Sequence, residues 1–382
     1  MSEKFPPGQP DQPPTAPYPG AYPGGNAQPP PQQWGPPPQW GPPAPQHWGP
    51  PPAPVPPLPS FPHPEPREYH QMLRTWNYAW WKPVVGIVIV AVGIVIVAPL
   101  VLLPVLAIGV GVEGGPFWEK FEEAATLQAV GPAALLYLNL VLGSAILITW
   151  FVMRVLHRMR PRWLSSVVPK MRWKFFFVCV GVSVVALVAQ VIVSIVMPGS
   201  QEGDFGDLNQ FSTTTVILAV VVLLTTPFQA AGEEYVFRGY LMQALGSLFN
   251  NKWVALLATS TLFAMAHGVQ NFPLFFDRFV FGLIAGWLIL RTGGLEAGIA
   301  MHILNNFLAF GFAISFGDLT DSLTVAEVGW SNIILTLTQA VTYAALVLLV
   351  ARKMDLQTRT NPPTQPAVDE PPYVTSGVPH SA

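Results

Sequence analysis

The chain predicts an all-α, polytopic membrane protein with about eight transmembrane helices, flanked by a disordered proline-rich amino-terminal tail and a short disordered carboxy-terminal tail. Three observations predict it. Of 382 residues, 51% are hydrophobic and only 10% charged; the apolar residues gather in runs of about 20, the length of a bilayer-crossing helix; and 27 of the 43 prolines fall before Arg67. That mixture fits neither a soluble globular domain nor a wholly disordered chain.

The segment 1–67 is too polar and proline-rich to offset the entropy of ordering, so it reads as a tail with polyproline II bias. Within it a unit recurs as Gln33-Trp34-Gly35-Pro36-Pro37, Gln39-Trp40-Gly41-Pro42-Pro43 and His47-Trp48-Gly49-Pro50-Pro51. Its uneven spacing argues against a solenoid; the readings are a docking site for a proline-recognising partner or a passive tether. No basic stretch leads a hydrophobic core at Met1, so a cleaved signal peptide is not expected. Residues 353–382 form the second tail, and 68–352 the membrane domain.

Spans are expected near Pro83–Val112, Ala129–Leu156, Lys174–Met197, Thr214–Phe249, Trp253–His267, Leu274–Leu290, Leu295–Phe316 and Ser331–Ala351. Alternate connections are basic (Arg154, Arg158, Arg160, Arg162, Lys170, Arg172; Arg291; Arg352, Lys353) and acidic (Glu113, Glu119, Glu122, Glu123; Glu202, Asp204, Asp207; Asp318, Asp321, Glu327). The positive-inside rule then puts both tails in the cytoplasm of a multi-pass plasma-membrane protein. Trp76, Trp80, Trp81 and Trp173 suit an interfacial aromatic belt. A net charge of −2 and no basic patch with interleaved aromatics leave no reason to expect nucleic acid. The single cysteine, Cys179, lies in an apolar run and reads as a small apolar side chain.

Function is sought where ionisable groups interrupt the spans, because each costs at least about 2.5 kcal/mol in the bilayer core. Glu233, Glu234, Arg238, His267 and His302 do so, with the polar amide of Asn306 among them. The fourth span, with Pro227 able to kink it, keeps helical spacing past Glu233 to a turn near Gly246–Lys252. Glu233 and His267 are then each roughly 25 Å from that turn and share one level. His302 is only about 13 Å beyond Gly293-Gly294, so the levels match if the hairpin tip projects into the cytoplasm. Glu234 and Arg238, four apart, suit a buried ion pair; Glu233 points about 100° away from Glu234, free to face a cavity. Asn306, four after His302, can orient the imidazole or donate to an oxyanion. Phe263, one turn before His267, can pack against its ring.

These strings carry a resemblance. Glu233-Glu234-Tyr-Val-Phe-Arg238, Phe263-Ala-Met-Ala-His267 and His302-Ile-Leu-Asn-Asn306 resemble the EExxxR, FxxxH and HxxxN motifs of the CAAX protease and bacteriocin-processing (CPBP, or Abi) family of intramembrane proteases, related to type 2 CAAX prenyl endopeptidases. The likeness covers about residues 210–312. It implies that Glu233 activates a water shared with His302, that His267 and Asn306 stabilise the oxyanion, and that Glu234 and Arg238 support them. Glu296, just before the third motif, is explained by neither family nor spacing.

Peptide hydrolysis needs a base for water and donors for the tetrahedral oxygen, and no Ser-His-Asp or Cys-His arrangement is evident. Glu233, His267 and His302 also compose a possible zinc set of two imidazoles and one carboxylate, although no HExxH helix is present; the cofactor reading is none or zinc. The implied partners are the lipid bilayer and a membrane-associated peptide or protein substrate, a helix or lipidated tail approaching from the cytoplasmic leaflet. Singly, a histidine in a span is usually a helix–helix hydrogen-bond partner; motif order and matching depth together point to chemistry. Two alternatives stand beside the protease: a proton-coupled transporter, marked by half-helices and inverted repeats that the sequence lacks, and a non-catalytic scaffold or immunity protein working through its Trp-Gly-Pro-Pro tail.

Overall fold

The computed structural model describes residues 62–197 and 207–361. The Trp-Gly-Pro-Pro units, most of the carboxy-terminal tail, Glu202 and Asp204 lie outside the described residues, and with them the expectation of a proline-recognising partner. The described residues are helical, with two isolated antiparallel bridges, Glu68 with Arg359 and Ser166 with Gly294. Helix α1 is Trp81–Glu113, α2 Phe117–Ala125, α3 Pro132–Val155, α4 Trp173–Val196, α5 Thr213–Phe249, α6 Lys252–Met265, α7 Phe272–Thr292, α8 Glu296–Phe316, α9 Leu319–Thr324 and α10 Ser331–Lys353.

Seven of these helices are long and apolar enough to cross a membrane, and α6, with 14 residues, is the short eighth. At 1.5 Å per residue α6 reaches about 21 Å, less than a hydrocarbon core. Caps fix the boundaries around it. The Ser212 hydroxyl accepts from Thr215 N to start α5, Asn250 takes a left-handed conformation (φ 52°) to end it, and the Asn251 side chain accepts from Trp253 N and Val254 N to start α6. The departure from α geometry in α5 comes not at Pro227 but in a π-helical stretch, Tyr235–Leu241. A second π turn, Gly93–Val97, runs into Pro99 of α1, whose ring crowds the carbonyl four residues back.

Helix α8 lies between α4 and α5, while α7 packs on α6 and α10. Eight consecutive residues, Glu296–Ile303, are buried, so the first two turns of α8 are surrounded on every side. Helices α3 and α5 cross closely because Gly232 has no Cβ; one would stand 2.2 Å from the Leu142 carbonyl oxygen. Asn139 Nδ2, bonded to Thr225 Oγ1 at 2.8 Å, ties the same crossing.

The basic-loop end is closed by a collar. Tyr69 Oη donates to the Leu164 carbonyl, Gln243 Nε2 to the Trp163 carbonyl (3.0 Å), and the Ser165 and Tyr235 hydroxyls share a 2.6 Å bond. Leu295 N donates to Ser165 O at 2.9 Å and Val167 N to Gly293 O at 2.8 Å. Residues 62–67 and 354–361, read from sequence as parts of the tails, join this collar: His63 Nε2 bonds the Met72 carbonyl at 2.8 Å, Thr360 N donates to Arg67 O at 2.9 Å and Arg359 pairs with Glu68 at 2.7 Å. Trp76, Trp80, Trp81 and Trp173 project outward at this end, each at least 45% exposed, as side chains of an interfacial belt would.

Candidate active site

Helix α5 supplies two carboxylates with opposite surroundings. Glu234 is fully buried, and its Oε1 accepts from Arg238 Nη1 at 2.8 Å and from His302 Nδ1 at 3.0 Å. Two glycines make room. A Cβ on Gly298 would sit 2.6 Å from Glu234 Oε2, and one on Gly282 would sit 3.1 Å from Arg238 Nη2. The Arg238 guanidinium is also fully buried, stacked with its Cζ 3.9 Å from the centre of the Phe263 ring, a cation–π contact strengthened by exclusion of water. Removing one member of such a buried pair costs about 3–5 kcal/mol, because the other is left unmatched.

Glu233, one residue earlier, retains some exposure, 12% of its side chain, and its Oε2 stands 3.7 Å from His302 Nε2. An ionised carboxylate paired with arginine only accepts, so Glu234 holds a proton of His302 on Nδ1, and in the neutral ring Nε2 then presents a lone pair toward Glu233. Two acceptors 3.7 Å apart can both be reached by one water at ordinary bond lengths of about 2.8 Å. The other Glu233 oxygen, Oε1, accepts from Gln229 Nε2, and Gln229 Oε1 accepts from Asn306 Nδ2 at 2.8 Å. Asn306 thus holds Gln229 rather than the His302 ring. Gln229 was missed in the sequence; its signal was a polar side chain one helical turn before Glu233 on the same face.

His267 stands two residues past the end of α6, not inside it as the sequence suggested. Gly268 follows at φ +83°, a left-handed conformation that stops the helix. His267 Nδ1 bonds the Phe263 carbonyl at 2.8 Å; a carbonyl only accepts, so Nε2 again carries a lone pair. The ring is edge-on to Phe263 at 4.7 Å, and Phe263 in turn meets the His302 ring at 5.9 Å. His302 is buried and His267 exposed. The 3.0 Å bond between Glu234 and His302 puts α5 and α8 in one register of depth. Glu234 is therefore about 22 Å from the end of α5 and His302 about 12 Å from Gly294, so the α5–α6 turn projects about 10 Å further.

Glu296 finds its partner in Arg172, 124 positions away. Arg172 Nε donates to Oε1 at 2.8 Å, Nη2 to Oε2 at 2.7 Å and the Arg172 backbone N to Oε1 at 2.9 Å. This bidentate clamp at the first turn of α8, where helix dipoles favour a carboxylate, anchors the helix six residues before His302.

The donor chemistry of His267 and His302, each with a lone pair on Nε2 and Nδ1 held by an acceptor, is what metal ligands present. Yet among the described residues no three His, Cys, Asp or Glu side chains are placed to hold a metal ion. Glu233, His267 and His302 do not fit zinc as they stand.

Fold and site define a multi-pass helical membrane protein with a carboxylate–imidazole–amide cluster assembled from three segments inside the bundle. Comparison with known proteins sharpens that class. Residues 214–308 match the family described as Type II CAAX prenyl endopeptidase Rce1-like, so the likeness drawn from the three motifs holds over this segment. The chain is 26% identical over 167 residues to uncharacterized protein YyaK of Bacillus subtilis (strain 168), covering 41% of this chain and 54% of that one. It is 34% identical over 88 residues to an uncharacterized 24.3 kDa protein of Escherichia coli, covering 22% and 41%. The chain thus spans about half the length of these curated relatives. No solved structure matches.

Proposed function

We propose that the protein is an intramembrane endopeptidase of the CAAX-protease type in which Glu233 is the base for an attacking water. The observation that carries this reading is the 3.7 Å separation of Glu233 Oε2 from His302 Nε2, with each group oriented by a partner that leaves the facing atom free to accept. Water between them gives one proton to Glu233 as its oxygen adds to the substrate carbonyl; the same proton then passes to the departing amine, so the glutamate ends as it began. Gln229 and Glu234 act as positioning residues, each engaging one carboxylate or imidazole atom and turning the other toward the water. Asn306 donates to the tetrahedral oxygen once it releases Gln229; His267, which desolvation favours as the neutral ring, donates there only from a tautomer that gives up its bond to the Phe263 carbonyl.

The substrate approaches from the lipid side. At the basic end the collar covers the cluster, whereas an apolar groove of about 350 Å³ runs along the α5–α8 seam, lined by Val222, Leu223, Phe307 and Gly311, and begins one residue past Asn306. This favours a lateral approach of an apolar peptide segment over passage through the collar. Both tails are assigned to the cytoplasm on the basic loops. The test is mass-spectrometric detection of cleaved membrane peptides by the full chain reconstituted in liposomes. Product should form with the unaltered protein and be lost with Glu233→Gln of equal expression and thermal stability; equal product from both would overturn the proposal.

A further inference from the structure

A second charge interrupts the spans beside this cluster. Arg278 lies in α7, six residues inside its acidic-side end, about 9 Å below it. Its neighbour Asp277 accepts from Thr336 Oγ1 on α10, and among the described residues no carboxylate lies within ion-pairing distance of the Arg278 guanidinium. The side chain is partly exposed, and a single nitrogen makes its bonds. Nη1 donates to Gln270 Oε1 at 2.7 Å and to the His267 carbonyl at 3.4 Å. Holding two neutral oxygens requires no charge; the adjacent Asp277 carboxylate attracts the guanidinium without bonding to it, so no carboxylate occupies its donors at a depth where charge is expensive. The remaining Nε and Nη2 donors form the planar fork that matches a carboxylate bidentately, on a guanidinium that already bonds the backbone of His267.

We propose that Arg278 binds a carboxylate of the peptide substrate and so fixes which bond is presented to Glu233. The inference rests on the peptidase reading of the site. A phospholipid phosphate offers similar chemistry, but a headgroup belongs at the helix end, whereas Arg278 is more than one turn inside and adjoins His267.

The experiment measures binding without turnover. A fluorophore-labelled apolar peptide is titrated onto the full-length Glu233→Gln protein in phosphatidylcholine nanodiscs in three forms: free carboxy terminus, terminal amide, and amide with an aspartate near the end. At least one carboxylate form should bind about tenfold tighter than the plain amide, the worth of a charge-assisted bond, and the form that does so identifies the carboxylate read. Adding Arg278→Gln should abolish the discrimination, and Arg278→Lys, which keeps the charge without the fork, should retain part of it. Equal weakening of all three forms by Arg278→Gln would show a structural role and overturn the proposal. So would unchanged discrimination, or a loss of co-purified anionic phospholipid in its place. An unaltered protein that cleaves nothing would defeat the peptidase reading while leaving this discrimination to be judged separately.

Discussion

Gly298→Ala tests whether the buried carboxylate is held where the geometry places it. The added methyl would stand 2.6 Å from Glu234 Oε2, against an ordinary contact of about 3.5 Å, so one side must yield by nearly 1 Å. Glu234 cannot yield cheaply, since its other oxygen is fixed by Arg238 at 2.8 Å and His302 at 3.0 Å. A shift of that size breaks the bond to His302 and weakens the ion pair. Overpacking costs about 1–3 kcal/mol and a lost hydrogen bond to a charged group about 1.5–3 kcal/mol, giving on the order of 3–5 kcal/mol. Misplacing the imidazole by about 1 Å should also cost about a hundredfold in rate. Gly181→Ala, in α4 and outside the groove, is the control: a Cβ there meets nothing within 4 Å, and the better helix propensity of alanine should leave stability unchanged or raised by up to about 1 kcal/mol. Thermal unfolding in detergent and peptide cleavage read both effects. If Gly298→Ala melts and cleaves like the unaltered protein, Glu234 is not confined as described and the derivation fails.

Other outcomes follow from the same contacts. Arg172→Ala leaves the Glu296 carboxylate buried without its clamp and should cost about 3–5 kcal/mol, lowering the melting temperature clearly more than Arg160→Ala on the same loop. Gln229→Leu removes the bond that turns Glu233, and should reduce kcat with little change in KM. At the collar, burial holds the His157 imidazole, bonded to Tyr240 Oη at 2.9 Å, down to about 4 from 6.5. The unfolded chain binds that proton below about pH 6.5 and the folded protein does not until about pH 4, so stability is complete above pH 6.5 and falls as pH drops toward 4. The full shift amounts to about 3 kcal/mol; His70, which burial also holds down to about 4, adds to the same slope, so His157→Gln should reduce it without abolishing it in melts between pH 7 and 4, and an unchanged slope would contradict the assignment.

Much of the membrane body was legible because each span is one apolar run and each bend carries a cap or a turn residue. Glu234 with Arg238, and Phe263 with His267, were readable for the same reason, since four residues along one helix fix a neighbour. What could not be read needed a partner from far along the chain. Glu296 looked inexplicable until Arg172 stood beside it. Asn306 was assigned to His302 by helical spacing, but its amide reaches across to Gln229, a contact between helices that no local period encodes. Gly298 and Gly282 look like ordinary small residues in spans, yet each leaves the space that a buried charge occupies. The collar was divided between tails and loops because residues 62–68 and 354–361 are ordered by one another, through Glu68, Arg67, Arg359 and Thr360, rather than by their own composition.

The claim that Glu233 and His302 act on one shared water is tested most directly by a double-mutant comparison of cleavage rates. Groups serving one step fail together. Glu233→Gln, His302→Ala and the combined variant should therefore all fall to the same residual rate, the double no slower than either single. Losses that multiply in the double variant would mean that the two side chains work independently, and the shared-water mechanism would have to be abandoned.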